Sequence, residues 1–222
     1  MKKAYDQVVQ ALPESRSAQA LLGQQMQAYS WYKETGGHVT DYPDLIAALS
    51  LQVSDDLCVM ESSGEQRLIA ASVCSPSYWN VKEKIGLSLS DIHRPVTSLQ
   101  QKIGSQIQRF IAQAPLMTPF ERSNWFVHGN RQRMHLAPEG NITGSPEQWF
   151  LRSERETLCR FHNDYLLFTI NVRFAPLRDI VHYPAALEDL TASLSRYDAD
   201  EIDYFGGDTK YQRLGEYLAG LR

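Results

Sequence analysis

The spacing of the apolar residues changes period twice along this chain, and those changes constrain its fold more than any single motif. Leu57-Cys58-Val59-Met60 and Leu68-Ile69-Ala70-Ala71-Ser72-Val73 flank the turn-rich Ser62-Ser63-Gly64-Glu65, a pattern that predicts a β-hairpin. After Pro76 the chain is irregular and partly helical through Lys82-Glu83-Lys84-Ile85-Gly86 and Leu89-Ser90-Asp91-Ile92-His93. Leu99, Ile103, Ile107, Phe110 and Ala114 then fall on one helical stripe, with Lys102, Gln106 and Arg109 facing away, until Pro115 and Pro119 close the helix. Alternation returns in residues 123–128, in Trp149 to Arg160 and in Leu166 to Val172, which predicts three more strands. A hairpin, short helices, a longer helix and three strands, in that order, imply an α+β fold: a five-stranded antiparallel sheet with helices packed on one face.

Both ends add helices to this core. Leu21, Leu22, Met26 and Tyr29 recur at helical spacing, and Asp41 with Pro43 can start a helix carrying Leu45, Ile46, Leu49 and Val53. After Pro184, Leu187, Leu190, Leu194 and Tyr197 form one stripe, and Leu214, Tyr217, Leu218 and Leu221 form another. Residues 129–147, rich in Gly, Pro and Asn, read as a loop. Without repeats or low-complexity linkers, residues 1–222 read as one domain with N- and C-terminal helical extensions around a core of about residues 55–175.

A formal charge of −4 gives little to displace phosphate counterions, so nucleic acid is not an expected partner. No apolar run approaches the roughly 20 residues that span a bilayer, and Met1-Lys2-Lys3-Ala4-Tyr5-Asp6 leads into polar sequence, so no membrane partner and a cytoplasmic address are expected. Cys58, Cys74 and Cys159 form neither a CxxC pair nor the CxxCH of covalent haem attachment, and read as core or surface thiols. The six histidines show no HxH, HExxH or helical spacing of four, so no zinc site is readable from local pattern.

His93, in Asp91-Ile92-His93-Arg94-Pro95-Val96, sits near a helix end because Pro95 disfavours continuation. Such a histidine either bonds a helix carbonyl or serves as a metal ligand. Arg152, Arg155 and Arg160 lie in one strand-like run, where 152 and 160 share parity and 155 points the other way. Guanidinium forks suit carboxylates, whether those of a ligand or of Glu154 and Glu156 beside them. Arg122 and Asn124 share one strand face while Trp125 projects with Ser123 and Val127; Trp125, Tyr78 and Trp79 read as packing residues.

Four blocks carry a family resemblance: Asp55-Asp56-Leu57 to Met60; Ser77-Tyr78-Trp79 through Glu83-Lys84-Ile85-Gly86 to Ile92-His93-Arg94-Pro95-Val96; Arg122-Ser123-Asn124-Trp125; and Leu151-Arg152-Ser153-Glu154-Arg155-Glu156-Thr157-Leu158-Cys159-Arg160 ending in Phe168-Thr169-Ile170. In this order and spacing, over roughly residues 40–220, they resemble the α-subunit-like family of haem-dependent oxidative N-demethylases. The resemblance implies a PAS-like fold, whose element order this chain shares, enclosing non-covalent haem b and working as a monooxygenase. It implies His93 as the proximal iron ligand, with Arg122, Arg152, Arg155 and Arg160 as the candidates for holding the cofactor. It also implies a separate reductase that passes electrons from NADPH through flavin and iron–sulfur groups, and a small amine that loses a methyl group as formaldehyde; Glu154 and Glu156 are candidates for meeting its ammonium.

Two stretches depart from the family pattern. Phe161-His162-Asn163-Asp164 replaces an expected Leu-Pro after Arg160, and Asn171-Val172-Arg173-Phe174 replaces an Arg-Thr-Tyr-like stretch, which leaves the substrate open. His162 is either a second axial ligand, a pocket residue or a loop histidine. The other readings of the chain are a haem-based gas or redox sensor, a haem-carrying module without turnover, and a PAS-like domain that has lost haem.

Overall fold

The structure, a computed structural model, describes residues 45–50, 53–94, 103–140 and 142–221. The helix expected around Leu21 to Tyr29, the cap at Asp41 and Leu99 of the long-helix stripe lie outside the described residues. Five strands form one antiparallel sheet: β1 (Asp56–Glu61), β2 (Leu68–Ser72), β3 (Pro119–His128), β4 (Phe150–Arg160) and β5 (Tyr165–Pro176), in the order β2-β1-β5-β4-β3. The class and strand number thus match the sequence reading.

The hairpin turns through Gly64 and Gln66, both at positive φ, and its register shifts between Val59 and Met60. The three later strands are longer than their apolar runs. Polar cross-strand pairs, Arg122 opposite Glu156 and Asn124 opposite Glu154, continue the ladder where apolar alternation fails. Pro119 opens β3 at the edge of the sheet, where a missing N–H costs no ladder bond. Trp149, expected in a strand, instead ends the 3₁₀ turn Pro146–Gln148; it is fully buried and its indole donates to the Thr143 carbonyl at 3.3 Å.

Side chains directly opposite one another in an antiparallel pair share a face, so register assigns the layers. One face presents Cys58, Met60, Leu158, Leu166 and Phe168 to Val81 of α2 (Val81–Lys84), Leu89 and Ile92 of α3 (Leu89–Ile92), and Ile107 and Ile111 of α4 (Ser105–Gln113). The other presents Leu57, Val59 and Leu167 to Ile46 and Leu49 of α1 (Leu45–Ser50). Towards the far end of β3 and β4, Trp125, Val127 and Leu151 pack on α5 (Pro184–Leu194), α6 (Ala199–Phe205) and α7 (Asp208–Ala219) through Leu187, Leu190, Leu194, Phe205, Leu214 and Leu218. The described helices between hairpin and β3 therefore keep to one face, while the described N- and C-terminal extensions take the other. Each fully buried Leu in these layers contributes about 1.5–3 kcal/mol.

The buried stripe of α4 differs from the sequence expectation. Ile111 and Ala114 are buried, whereas Ile103 and Phe110 are exposed. Phe110 leaves the core side to meet Phe120 of β3 edge-on, 4.9 Å between ring centres. Tyr197 follows the end of α5 rather than continuing its stripe, and stacks on Trp125. Among the described residues, no helix is long and apolar enough to cross a membrane.

Candidate functional site

His93 is placed by a short capped helix. Ser88 caps α3 by accepting from the Asp91 N–H at 3.1 Å, Leu89 anchors the helix in the core, and His93 is the C-terminal cap. The His93 ring bonds the Leu89 carbonyl through Nδ1 at 2.9 Å. A carbonyl only accepts, so Nδ1 carries the proton and Nε2 keeps its lone pair. Burial pushes the His93 pKa down, the Leu89 carbonyl opposes this, and the positive charges of Arg122 and Lys84 lower it further. The result is a neutral imidazole whose lone pair sits on Nε2.

Arg122 lies close enough to His93 for its charge to be felt there, and its Nε donates to the carboxylate of buried Glu156 on the neighbouring strand. Burial raises the Glu156 pKa, and Arg122 only partly restores it. His93, Arg122 and Glu156 are thus brought together on the face covered by α3 and α4.

The other three arginines go elsewhere. Arg152 shares this sheet face but is fully buried, donating to Glu154 at 2.7 Å and to the Ser75 carbonyl at 2.5 Å. Arg155 is on the opposite face, 3.9 Å from both Asp55 and Glu121. Arg160 closes the end of α4, donating to the Ala112 and Ala114 carbonyls at 3.2 and 3.4 Å and to the Asn163 carbonyl at 2.6 Å. His162 lies in the β4–β5 turn, stacked on Tyr165, where its Nδ1 accepts from the Asp164 N–H. All three cysteines are free thiols, and burial pushes Cys58 up to about 12.

A second cluster was not legible in the sequence. Glu139, in the loop after β3, accepts from the Tyr78 hydroxyl at 2.7 Å, from Asn130 Nδ2 at 2.7 Å and from the Gly129 N–H at 3.3 Å, and pairs with His128 Nδ1 at 3.0 Å. Burial alone would raise its carboxyl, but the bonds from His128 and Tyr78, the His128 charge and the Gly129 N–H hold it at about 2. His128 is itself lowered by burial, against the pull of Glu139, so its neutral form dominates near pH 7 and the carboxylate stays ionised.

His135 stacks on His128 with ring centres 4.6 Å apart. Its Nε2 is buried and, among the described residues, has no hydrogen-bond partner, a condition that costs about 1–3 kcal/mol. Tyr78 takes φ 62°, a left-handed conformation that strains a bulky residue by about 1–3 kcal/mol. The sequence signal was weak because His128, His135 and Glu139 lie at a strand end and along a loop, with no helical or HxH spacing to mark them.

No curated protein is similar enough to this sequence to count as a match. Residues 1–214 match the family described as haem-dependent oxidative N-demethylase, alpha subunit-like, and the chain belongs to that family.

Proposed function

We propose that this chain binds haem b through His93 and acts as the oxygenase component of an oxidative N-demethylation. The observation that carries the reading is the Nδ1 bond of His93 to the Leu89 carbonyl, which fixes the tautomer that a metal-ligating imidazole needs and directs the lone pair to Nε2. Burial keeps that ring neutral, which coordination also requires. These two observations fit a haem whose iron His93 would hold.

Of the arginines, Arg122 is the one suited to a haem propionate, since it is near His93 and more than half exposed at its side chain. Arg152 and Arg160 are spent on backbone carbonyls, and Arg155 is on the opposite face. Glu156 gives the same side of the sheet a buried carboxylate that can take the ammonium of a small amine. The chemistry supplied by bound haem is activation of O₂ and oxidation of a methyl carbon next to an amine nitrogen. In net terms an N-methyl amine, O₂, two electrons and two protons give the demethylated amine, formaldehyde and water. Following the family, the electrons come from NADPH through a separate flavin and iron–sulfur reductase.

The test is an absorption spectrum of the purified chain in ferric, ferrous and CO-bound forms. A Soret band is expected, lost in His93→Ala and restored in His93→Gly by added imidazole. An unaltered haem spectrum in both variants would sink the ligand assignment. With a reductant supplied, amine-dependent O₂ consumption with formaldehyde release marks an oxygenase; O₂ or CO binding without product marks a sensor.

A further inference from the structure

We infer that His128, His135 and Glu139 form a binding site for a divalent transition-metal ion of the kind Zn²⁺ represents, independent of the haem reading. Each of the three offers one ligand atom, and these atoms all lie within 4.8 Å of one another. His128 Nδ1 and a Glu139 oxygen are 3.0 Å apart, close to the roughly 3.3 Å edge of a tetrahedron with zinc-to-ligand bonds of about 2.0–2.1 Å. His135, whose ligand atom lies no more than 4.8 Å from the other two, completes the set by closing in by at most about 1.5 Å to reach that edge.

Two imidazole nitrogens and one carboxylate oxygen make a borderline donor set, which favours zinc and its transition-metal neighbours over calcium or magnesium.

Independent observations point to a ligand. His135 is 7% exposed, yet its Nε2 meets no partner among the described residues, although the rest of the cluster is densely hydrogen-bonded. A bound cation would satisfy that lone pair. The backbone of His135 is also held on both sides: its N–H donates to the Pro76 carbonyl at 3.0 Å and its carbonyl accepts from the Tyr78 N–H at 2.8 Å. Glu139 is oriented in turn by Tyr78, Asn130 and the Gly129 N–H, the outer bonds that keep a ligating carboxylate in place. Ser77 Oγ lies 3.3 Å from His128 Nε2, so both ring nitrogens of His128 face polar atoms. Strained Tyr78 belongs to this support, its ring packing against both histidines. A metal here would bind residues 129–140 to the end of β3, with Tyr78 of the segment after β2 supporting the site through its bond to Glu139.

The experiment is equilibrium dialysis of the tag-free full chain against micromolar Zn²⁺, with zinc and iron counted separately by mass spectrometry and Tm followed with and without EDTA. Zinc uptake near one per chain is expected, with a Tm that rises on binding and falls on chelation. Affinity should drop by more than about tenfold in His135→Ala and Glu139→Gln, and by about tenfold in Tyr78→Phe, which keeps the ring but removes the supporting bond. A wild-type chain that takes up no zinc overturns the inference, and no variant is needed for that result. Zinc uptake unchanged in His135→Ala and Glu139→Gln overturns it equally, because the metal would then sit elsewhere. The Soret band of the same samples reports the haem reading separately.

Discussion

Arg152 places Nη2 2.5 Å from the carbonyl oxygen of Ser75, a residue 77 positions earlier in the chain. From the sheet side, Asp56 accepts from the Cys74 N–H at 2.7 Å and from the Ser75 N–H at 3.1 Å. The segment leaving β2 is therefore clamped by an acceptor on β1 and a donor on β4, and it leads directly to Ser77 and Tyr78. Arg152→Met keeps much of the apolar stem against Phe174 but leaves the Ser75 carbonyl and Glu154 without their buried cation. The expected loss is about 3–5 kcal/mol of unfolding free energy in urea titrations. A loss below about 1 kcal/mol would show that the clamp is replaceable by water.

Lys210 supplies a pH dependence. Its ammonium donates to the Val127 carbonyl at 2.5 Å and the Phe205 carbonyl at 2.8 Å and lies over the rings of Phe126 and Phe205. Burial pushes its pKa down to about 7, against the attraction of Glu139. Between about pH 7 and the normal lysine range near 10.5, the unfolded chain binds the proton and the folded chain does not, so stability rises with pH across that window. From pH 6 to pH 9 this single group should add on the order of 2 kcal/mol. Lys210→Met should be less pH-dependent over that range by about this amount. Identical pH profiles for the two proteins would show that the carbonyls and rings keep Lys210 charged.

Gly206, which ends α6, guards the same side chain. Its φ of 124° is rarely open to other residues, and a Cβ there would stand 2.8 Å from Lys210 Cδ. Gly206→Ala should therefore cost about 1–3 kcal/mol, through backbone strain together with displacement of Lys210. In Lys210→Met/Gly206→Ala the cost should change, because sites sharing a contact do not add. Strict additivity in the double-mutant cycle would mean that strain alone is responsible.

Much of the fold was legible because burial and period agree. Leu187, Leu190 and Leu194 repeat at helical spacing and are all buried; Cys58 and Met60 alternate with Leu57 and Val59 onto opposite faces. Legibility failed where a tertiary partner overrides the pattern. Phe110 turns to Phe120, a contact between α4 and a strand that local spacing does not announce. α6 was missed although Asp198 and Glu201 form a capping box, a readable start signal in a segment with little apolar stripe. At the site, strand parity correctly separated Arg155 from Arg152 and Arg160, but not which guanidinium is tied down by a distant carbonyl. The His128, His135 and Glu139 cluster depends on where the loop after β3 folds back, which no local spacing records.

Glu156 and Arg122 give the sharpest contrast between stability and function. Burial raises the Glu156 carboxyl above its ordinary value even with Arg122 bound to it. In the window above the unfolded pKa, near 4.5, the folded chain holds this proton more tightly than the unfolded chain, so the group's contribution to stability falls as pH rises through the folded value. At pH 7 the carboxylate is therefore a net burden on the fold, of the kind retained where a charge is needed for binding. Glu156→Gln should reduce the loss of unfolding free energy between pH 4 and pH 7 while weakening binding of an amine substrate, read as a higher KM with a smaller change in kcat. A variant with the wild-type pH profile would show that Arg122 fully compensates the buried charge; an unchanged KM would remove Glu156 from the substrate site.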